Sequence, residues 1–194
     1  MSTSDADAIT ASLSDPRVFA VIFDRHASAL HRYLRRRVGS DVADELASET
    51  FERAFEHRQR FNGSGPDARP WLFGIAQNLL RHHYRSEQQR LRLYADTGFD
   101  PISGRLESDR APETDVVHGS DIAMALAELS PGERDVLLLV AWADLTYEDV
   151  AQALRIPVGT VRSRLNRARS RIRRVLEGTE RTSEEAIWWT NWKQ

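Results

Sequence analysis

The chain has 194 residues, of which 41% are hydrophobic and 29% are charged, and its formal net charge at pH 7 is −2. This composition is typical of a soluble globular protein with one medium domain or two small ones. The absence of cysteine excludes disulfides and cysteine-bound zinc, and it fits a cytoplasmic protein. No apolar run reaches membrane-spanning length, and the start, MSTSDADAIT, lacks a signal-peptide pattern, so we expect no membrane insertion.

Helical periodicity dominates the first half of the chain. Residues 1–14 are mostly Ser, Thr, Asp and Ala without a clear period, which predicts a flexible tail. A helix is predicted over 15–38, opened by Pro16 in its first turn and ended by Gly39. Ser40 caps a second helix, which has one apolar stripe and one acidic face.

A change of composition after the third helix divides the chain. Residues 60–70 have loop composition, and a helix with a basic second half is predicted from Trp71 to about Leu93. The next stretch is rich in Gly, Pro, Ser and Asp and has more acids than bases, which predicts a flexible acidic linker. The predicted parts are a tail over 1–14, a domain over 15–93, the linker over 94–119, a domain over 120–178 and a Trp-containing tail over 179–194.

Short capped helices fill the second domain. A helix is predicted over 120–129, and SPGE at 130–133 is a capping box that opens the next helix. Thr146 caps TYEDVAQAL, a helix of about two turns, and after a turn at 155–157 a longer helix extends to Leu176. Since no strand pattern appears anywhere, we predict an all-α fold of two small domains.

The last of these helices, PVGTVRSRLNRARSRIRRVL, is basic and amphipathic, with apolar residues on one stripe and arginines on its other faces. A short helix, a tight turn and a longer basic helix are helix-turn-helix organisation, in which the second helix enters the DNA major groove. Because Arg pairs with guanine and Asn with adenine, the candidate base-reading residues are Arg162, Ser163, Asn166 and Arg167. A solvated basic face, or a helix that binds calmodulin or membranes, is the alternative interpretation.

LTYEDVAQAL followed by RIPVGTVRSRLNRARSRIRRVL resembles region 4 of the extracytoplasmic-function (ECF) sigma factors, in the sigma-70 family of bacterial RNA polymerase subunits. The resemblance implies that this segment reads the −35 promoter element. The implied −35 contacts are Thr160, Arg162, Ser163, Arg164, Asn166, Arg167 and Arg169. Arg155 stands where the family usually has glycine, so we expect a tighter or tilted turn, or an added phosphate contact.

In the first domain, ADELASETFERAF resembles the region 2 helix that docks on the largest polymerase subunit. The docking residues that this resemblance implies are Asp44, Glu45, Ser48, Glu49 and Phe51. Ser48 replaces the usual glutamine, and Asp44-Glu45 reverses the usual order of the two acids. We expect docking to survive both changes because the acidic face and Phe51 remain, although a solvated face is the simpler alternative.

RPWLFGIAQNLLRHHYR resembles the segment that melts and reads the −10 element. The candidate −10 residues are Phe61, Trp71, Asn78, Arg81, His82 and Arg85. Asn78 offers hydrogen bonds to a flipped base, and Phe61 and Trp71 offer stacking surfaces, although a core anchor is the favoured interpretation of Trp71. His82 and His83 point about 100° apart on a helix, so they suit phosphate contact better than metal binding.

The resemblance covers roughly 15–92 and 120–178 and implies a transcription initiation factor, not an enzyme. The implied partners are core RNA polymerase, through its largest subunit and flap region, promoter DNA and an anti-sigma factor. No metal, cofactor or small-molecule substrate is implied. The acidic linker either tethers the two domains or imitates a nucleic acid inside a polymerase channel.

Two rival functions stay open. One is a helix-turn-helix transcriptional regulator that does not act as a polymerase initiation subunit. The other is a hydrolase that uses His82, His83 and nearby carboxylates, which the residue spacing does not support. The modest net charge also predicts that the acidic and basic halves mask each other, so that the free protein binds promoters weakly.

Overall fold

A computed structural model describes residues 3–61, 65, 67–96 and 124–178, without the side chains of 91–96 and 177–178. The regular elements in these ranges are all helical, which confirms the predicted all-α fold for this part of the chain. The α-helices are α1 (Asp5–Ser12), α2 (Ala20–Val38), α3 (Ser40–Glu56), α4 (Arg69–Asp96), α5 (124–127), α6 (Pro131–Trp142), α7 (Tyr147–Leu154) and α8 (Val158–Gly178). Short 3-10 helices lie at Pro16–Phe19 and Arg58–Arg60.

The predicted flexible tail is wrong in its described part, where Asp5–Ser12 forms α1. Ser4 and Asp7 exchange the hydrogen bonds of a capping box, and Ala8 and Ile9 are buried. So few apolar residues give no visible period, and for this reason the composition predicts disorder.

Asp5 fastens α1 to two other helices. Its carboxylate accepts a hydrogen bond from Arg25 at 2.7 Å and lies 2.6 Å from Nε2 of His26, both on α2. It also accepts the backbone N–H of Ala68, just before α4, at 2.9 Å. Burial raises the pKa of the Asp5 carboxyl, but the hydrogen bonds from Ala68, Arg25 and His26 outweigh burial and hold the pKa below its usual value.

The first domain packs α2, α3 and α4 around one apolar core. The fully buried apolar side chains of these helices include Ile22, Leu30, Leu34, Ala43, Ala54, Leu72, Ala76 and Leu80. Gly39 joins α2 directly to α3 with a φ of +81°, which glycine adopts readily. The helix predicted to end near Leu93 continues to Asp96, three residues into the predicted linker, and 97–119 lie outside the described residues.

The second domain packs α6, α7 and α8, and the predicted capping boxes at Ser130 and Thr146 are both present. The middle of α6 is buried, and α8 covers it with a stripe at steps of three and four. That stripe consists of Val161, Leu165, Ala168 and Ile172. Of the predicted 120–129 helix, the description begins at 124, and the 179–194 tail falls outside it.

The two domains touch through α4 and α7. A Cβ added at Gly74 of α4 would lie only 2.8 Å from the carbonyl oxygen of Ala153 in α7, so this close approach depends on glycine. Nearby, the guanidinium of Arg36 lies 5.7 Å from the centroid of the Trp142 ring, within range of a cation–π contact. The basic helix of the first domain therefore lies against the helix-turn-helix of the second.

Candidate nucleic-acid interface

The turn between α7 and α8 is left-handed. Arg155 has φ 54° and ψ 48°, and its N–H donates to the carbonyl oxygens of Ala151 and Gln152 at the end of α7. A β-carbon disfavours this conformation by about 1–2 kcal/mol, whereas glycine adopts it readily. Arg155 therefore keeps the turn that a glycine would make, at a cost in backbone strain, and its side chain is exposed.

The predicted −35 residues are spread over the faces of α8 that lie away from its buried stripe. Ser163 and Asn166 lie near the middle of the solvent side, because helical geometry places them opposite the stripe. Arg162, Ser163, Asn166 and Arg167 are exposed, and Thr160, Arg164 and Arg169 are half-buried. The arrangement is an exposed polar centre with arginines on both flanks, which suits a groove lined by phosphates.

Glu133 of α6 binds one of these flanks, a role that the sequence analysis missed. Its carboxylate lies 2.6 Å from Nη1 of Arg171 and 3.3 Å from Nε of Arg167. The Glu133 side chain is 5% exposed, and it also accepts hydrogen bonds from the N–H and hydroxyl of Ser130. Burial raises the pKa of the Glu133 carboxyl, but the Ser130 hydrogen bonds and the arginine charges outweigh burial and lower the pKa.

The predicted −10 residues lie along one side of α4. Trp71, Asn78, His82 and Arg85 recur at steps of seven, four and three, which places them on one face of an unbroken helix. Asn78, His82 and Arg85 are exposed. The ring of Trp71 is half-buried and packs 5.1 Å from the ring of Phe61, so it anchors the loop and still reaches the surface. Residues 62–64 and 66 of that loop fall outside the description.

Arg81, also predicted for −10 contact, turns towards the second domain. Its Nε and Nη2 donate to Oδ2 of Asp135 on α6, at 3.2 and 3.1 Å. Nη2 of Arg37 on α2 donates to the other oxygen of Asp135 at 3.3 Å, and the side chains of Arg37 and Asp135 are each 6% exposed. Asp135 therefore joins the two domains through a buried ion pair, which the sequence analysis did not predict.

A buried polar chain continues from this ion pair into the first domain. Arg37 donates to the Tyr33 hydroxyl, which donates to Oε1 of Gln77, both at 2.9 Å. Burial raises the pKa of the Tyr33 phenol, so the phenol stays protonated and keeps this donor role. Nε2 of Gln77 is buried and has no hydrogen-bond partner among the described residues.

The predicted docking surface on α3 is only partly as expected. Asp44, Glu45 and Ser48 are exposed, and Glu49 is half-buried and paired with Arg53. Phe51 differs, since it is only 7% exposed and packs against Phe23 of α2 with ring centroids 4.9 Å apart. Phe23 is 51% exposed, so the exposed aromatic ring beside this acidic face belongs to Phe23.

A group of metal-ligating side chains lies elsewhere in the first domain. Asp5, His26 and Asp67 place one ligand atom each within 4.8 Å of one another. The Asp5 oxygens already bind Arg25, His26 and the Ala68 N–H, and the nearby guanidinium opposes a cation. We therefore interpret this group as the set of contacts that attach α1 to α2 and to the start of α4. Over the described ranges, His82 and His83 join no such cluster.

The sequence does not indicate that Asp135 and Glu133 bind distant arginines, because each acid has another, local interpretation. Glu133 completes a capping box, and Asp135 lies within an apolar helix, where it is 4% exposed. A charged residue is rarely buried without a partner, so the acid directly before the apolar run VLLLV is the signal that was available. The arginines spaced by three and four on α8 are the corresponding signal for Glu133.

Among the described helices, none is both long and apolar enough to cross a membrane.

Known proteins share this architecture. Residues 22–90 match the family model for Sigma-70 region 2, and residues 120–172 match that for Sigma-70, region 4. The chain is 30% identical over 170 residues to the ECF RNA polymerase sigma factor EcfG of Rhodopseudomonas palustris (strain TIE-1), which covers 88% of this chain and 83% of that protein.

Two solved structures have the same fold. CnrH in complex with the cytosolic domain of CnrY superposes with a TM-score of 0.62 at 26% identity, covering 90% of this chain and 99% of that chain. The sigma factor RpoE in complex with the anti-sigma factor NepR from Bartonella quintana gives 0.59 at 25% identity, covering 84% and 98%. With both sigma-70 regions present in order, the chain belongs to the ECF group of the sigma-70 RNA polymerase sigma factors.

Proposed function

We propose that α8 reads the −35 promoter element and that the exposed face of α4 opens and reads the −10 element. The observation that carries this assignment is that each domain exposes one helix face with polar and basic side chains, on α8 and on α4. Promoter opening requires two kinds of protein contact, one with duplex DNA and one with strands that are being separated. The two faces differ in the way that these tasks require.

The α8 face suits duplex DNA because it is a convex helix held rigidly by its own domain. Its exposed centre carries Asn166, and its flanks carry arginines. Amide and guanidinium groups read adenine and guanine in the major groove. Arg173 and Arg174, exposed further along α8, contact phosphates and position the helix without reading sequence.

The α4 face suits strand opening because it combines a polar side chain, a cationic end and an aromatic pair. Asn78 is exposed one turn from the closely packed Gly74 and offers hydrogen bonds to an unpaired base. Phe61 and Trp71 stand at the start of the same face, and stacking of a base on an aromatic ring is worth about 1–3 kcal/mol.

We expect Asn78→Ala to preserve closed-complex binding and impair strand opening, which permanganate footprinting measures.

Docking on the polymerase belongs to the acidic side of α3. Asp44, Glu45 and Ser48 supply its exposed polar part, and Phe23 supplies an aromatic ring beside it. We further propose that an anti-sigma factor binds the chain, since RpoE, which shares its fold, was solved in complex with the anti-sigma factor NepR, and CnrH in complex with the cytosolic domain of CnrY. The chain acts in the cytoplasm as an initiation factor and catalyses no reaction itself.

In-vitro transcription tests the proposed function. Core polymerase from the same organism, with and without this protein, is given genomic fragments, and the 5′ ends of run-off transcripts are mapped. We expect the protein to produce starts at a defined set of sequences that core polymerase alone does not use. Specific DNA binding without such starts would instead indicate a helix-turn-helix regulator.

A further inference from the structure

Three arginines on one flank of α8 converge on the start of α6. Arg164, Arg167 and Arg171 follow one another at steps of three and four, so they lie on one side of the helix. The Nη1 atom of Arg164 lies 3.0 Å from the position of a Cβ built on Gly132. Cations are disfavoured at the positive N-terminal end of a helix dipole, so this arrangement needs a local negative charge.

Glu133 supplies that charge from a fixed position. Its 5% exposed side chain accepts hydrogen bonds from the Ser130 N–H at 3.1 Å and from the Ser130 hydroxyl at 2.8 Å. The same carboxylate lies 2.6 Å from Arg171 and 3.3 Å from Arg167. A carboxylate bound on four sides has little freedom, so it fixes the guanidinium groups that it contacts.

The contact with Arg167 leaves the reading edge of that residue available. Glu133 lies against Nε, and the Arg167 side chain is 59% exposed. A guanidinium is planar, so fixing it at Nε also fixes the direction of the edge formed by its two Nη groups. A side chain that is already oriented loses less conformational entropy when it binds.

We propose that Glu133 is a positioning residue for −35 recognition, which orients Arg167 towards a base edge and withholds Arg171 from non-specific phosphate contact. This role rests on the proposed −35 function of α8. Glu133 does not touch DNA itself. It raises the ratio of specific to non-specific affinity, and removing its charge lowers that ratio.

The test compares holoenzymes carrying the wild-type chain, Glu133→Gln, Arg167→Ala or both changes. Glutamine keeps the capping box and the side-chain volume, so the helix cap is retained. The probes are a promoter fragment identified by start-site mapping and the same fragment with its −35 element scrambled. The ratio of the two Kd values measures discrimination, and its salt dependence counts phosphate contacts.

We expect Glu133→Gln to lower discrimination on the order of tenfold, with binding to the scrambled fragment unchanged or tighter. The slope of log K against log salt on that fragment should steepen by about 0.9 for each arginine released to a phosphate. In the Arg167→Ala background, Glu133→Gln should lower discrimination by less than it does in the wild-type chain, because the group that it orients is absent and only the release of Arg171 remains. Glu148→Gln is the matched control, since Glu148 is 69% exposed and 3.9 Å from Arg162, and it should change little.

Equal weakening on both fragments would show that Glu133 only stabilises the domain, and it would overturn the proposal. Fully additive effects of the two substitutions would overturn it as well. A wild-type holoenzyme with no preference between the fragments would overturn the −35 assignment of α8, and the role of Glu133 with it.

Discussion

The two helices that we propose bind DNA, α4 and α8, both have arginines bound by acids of α6, although α8 shares a domain with α6 and α4 belongs to the other domain. Glu133 binds Arg167 and Arg171 within its own domain. Asp135 reaches across to Arg37 and Arg81 of the other domain. The contacts of Glu133 persist in any arrangement of the two domains, whereas those of Asp135 exist only while the domains touch.

The two helices proposed to bind DNA are therefore not equally free to do so. In the arrangement that the structure shows, with the two domains in contact (the closed arrangement), the α8 face is already formed. On α4, by contrast, Arg81 is bound to Asp135 and Gly74 is covered by α7. The charge pattern predicted masking between acidic and basic halves in general. The structure offers specific groups for it, and masking itself stays a prediction.

Removing the charge of Asp135 should have the largest effect. Asp135→Asn leaves a buried guanidinium unpaired, and breaking a buried ion pair costs about 3–5 kcal/mol. That cost falls on the closed arrangement alone, because Arg37 becomes solvated once the domains separate. We expect a larger radius of gyration by small-angle X-ray scattering and tighter binding of the free protein to promoter fragments. Glu128→Gln, at an exposed acid beside α5, is the control, and an unchanged radius for Asp135→Asn would show that Asp135 does not hold the two domains together.

Gly74→Ala tests the same contact without changing any charge. The added Cβ would lie 2.8 Å from a backbone oxygen of Ala153, which only a shift of α7 can relieve. Overpacking of this kind costs about 1–3 kcal/mol, so we expect the domains to separate to a smaller extent. Gly159→Ala, where nothing lies within 4 Å of the added atom, should leave the scattering curve unchanged.

Asp5→Asn separates stability inside the first domain from closure of the two domains. It weakens the acceptor for the buried Ala68 N–H and for His26, and a poorly satisfied buried group costs about 1–3 kcal/mol. Because hydrogen bonds hold the pKa of the Asp5 carboxyl below its usual value, its contribution is present above that usual value and is lost as the pH falls through the folded value. Urea unfolding of wild type and variant should therefore differ at pH 7 and converge in acid. A more open free protein would show that α1 also controls closure.

Arg155→Gly should have the smallest effect. Glycine relieves the left-handed backbone at this turn and should stabilise the second domain by about 1 kcal/mol, as thermal unfolding would measure. Binding to the −35 element should stay the same if the exposed side chain makes no phosphate contact. A loss of affinity with a shallower salt slope would instead identify such a contact.

Local features of this fold could be predicted from the sequence, and long-range pairings could not. The helix-turn-helix, the capping boxes and the Gly39 junction follow from residues a few positions apart. Arg171 and Glu133 are 38 positions apart, and Arg37 and Asp135 are 98 apart, so nothing local selects these partners among many charges. The burial of Phe51 follows from its place on the apolar stripe of α3, whereas nothing local shows that the ring of Phe23 lies exposed beside it.

The distance between the two domains is the measurement that decides whether Arg81 leaves Asp135, and the domains separate, when the chain binds a promoter. Because the chain has no cysteine, Ser28→Cys on α2 and Gln152→Cys on α7, both exposed, allow specific labelling for single-molecule energy transfer. We predict one short distance in the free protein and a longer one in promoter-bound holoenzyme, with Asp135→Asn shifting the free protein towards the longer value. The same short distance in free and promoter-bound protein would show that the domains stay in contact on DNA.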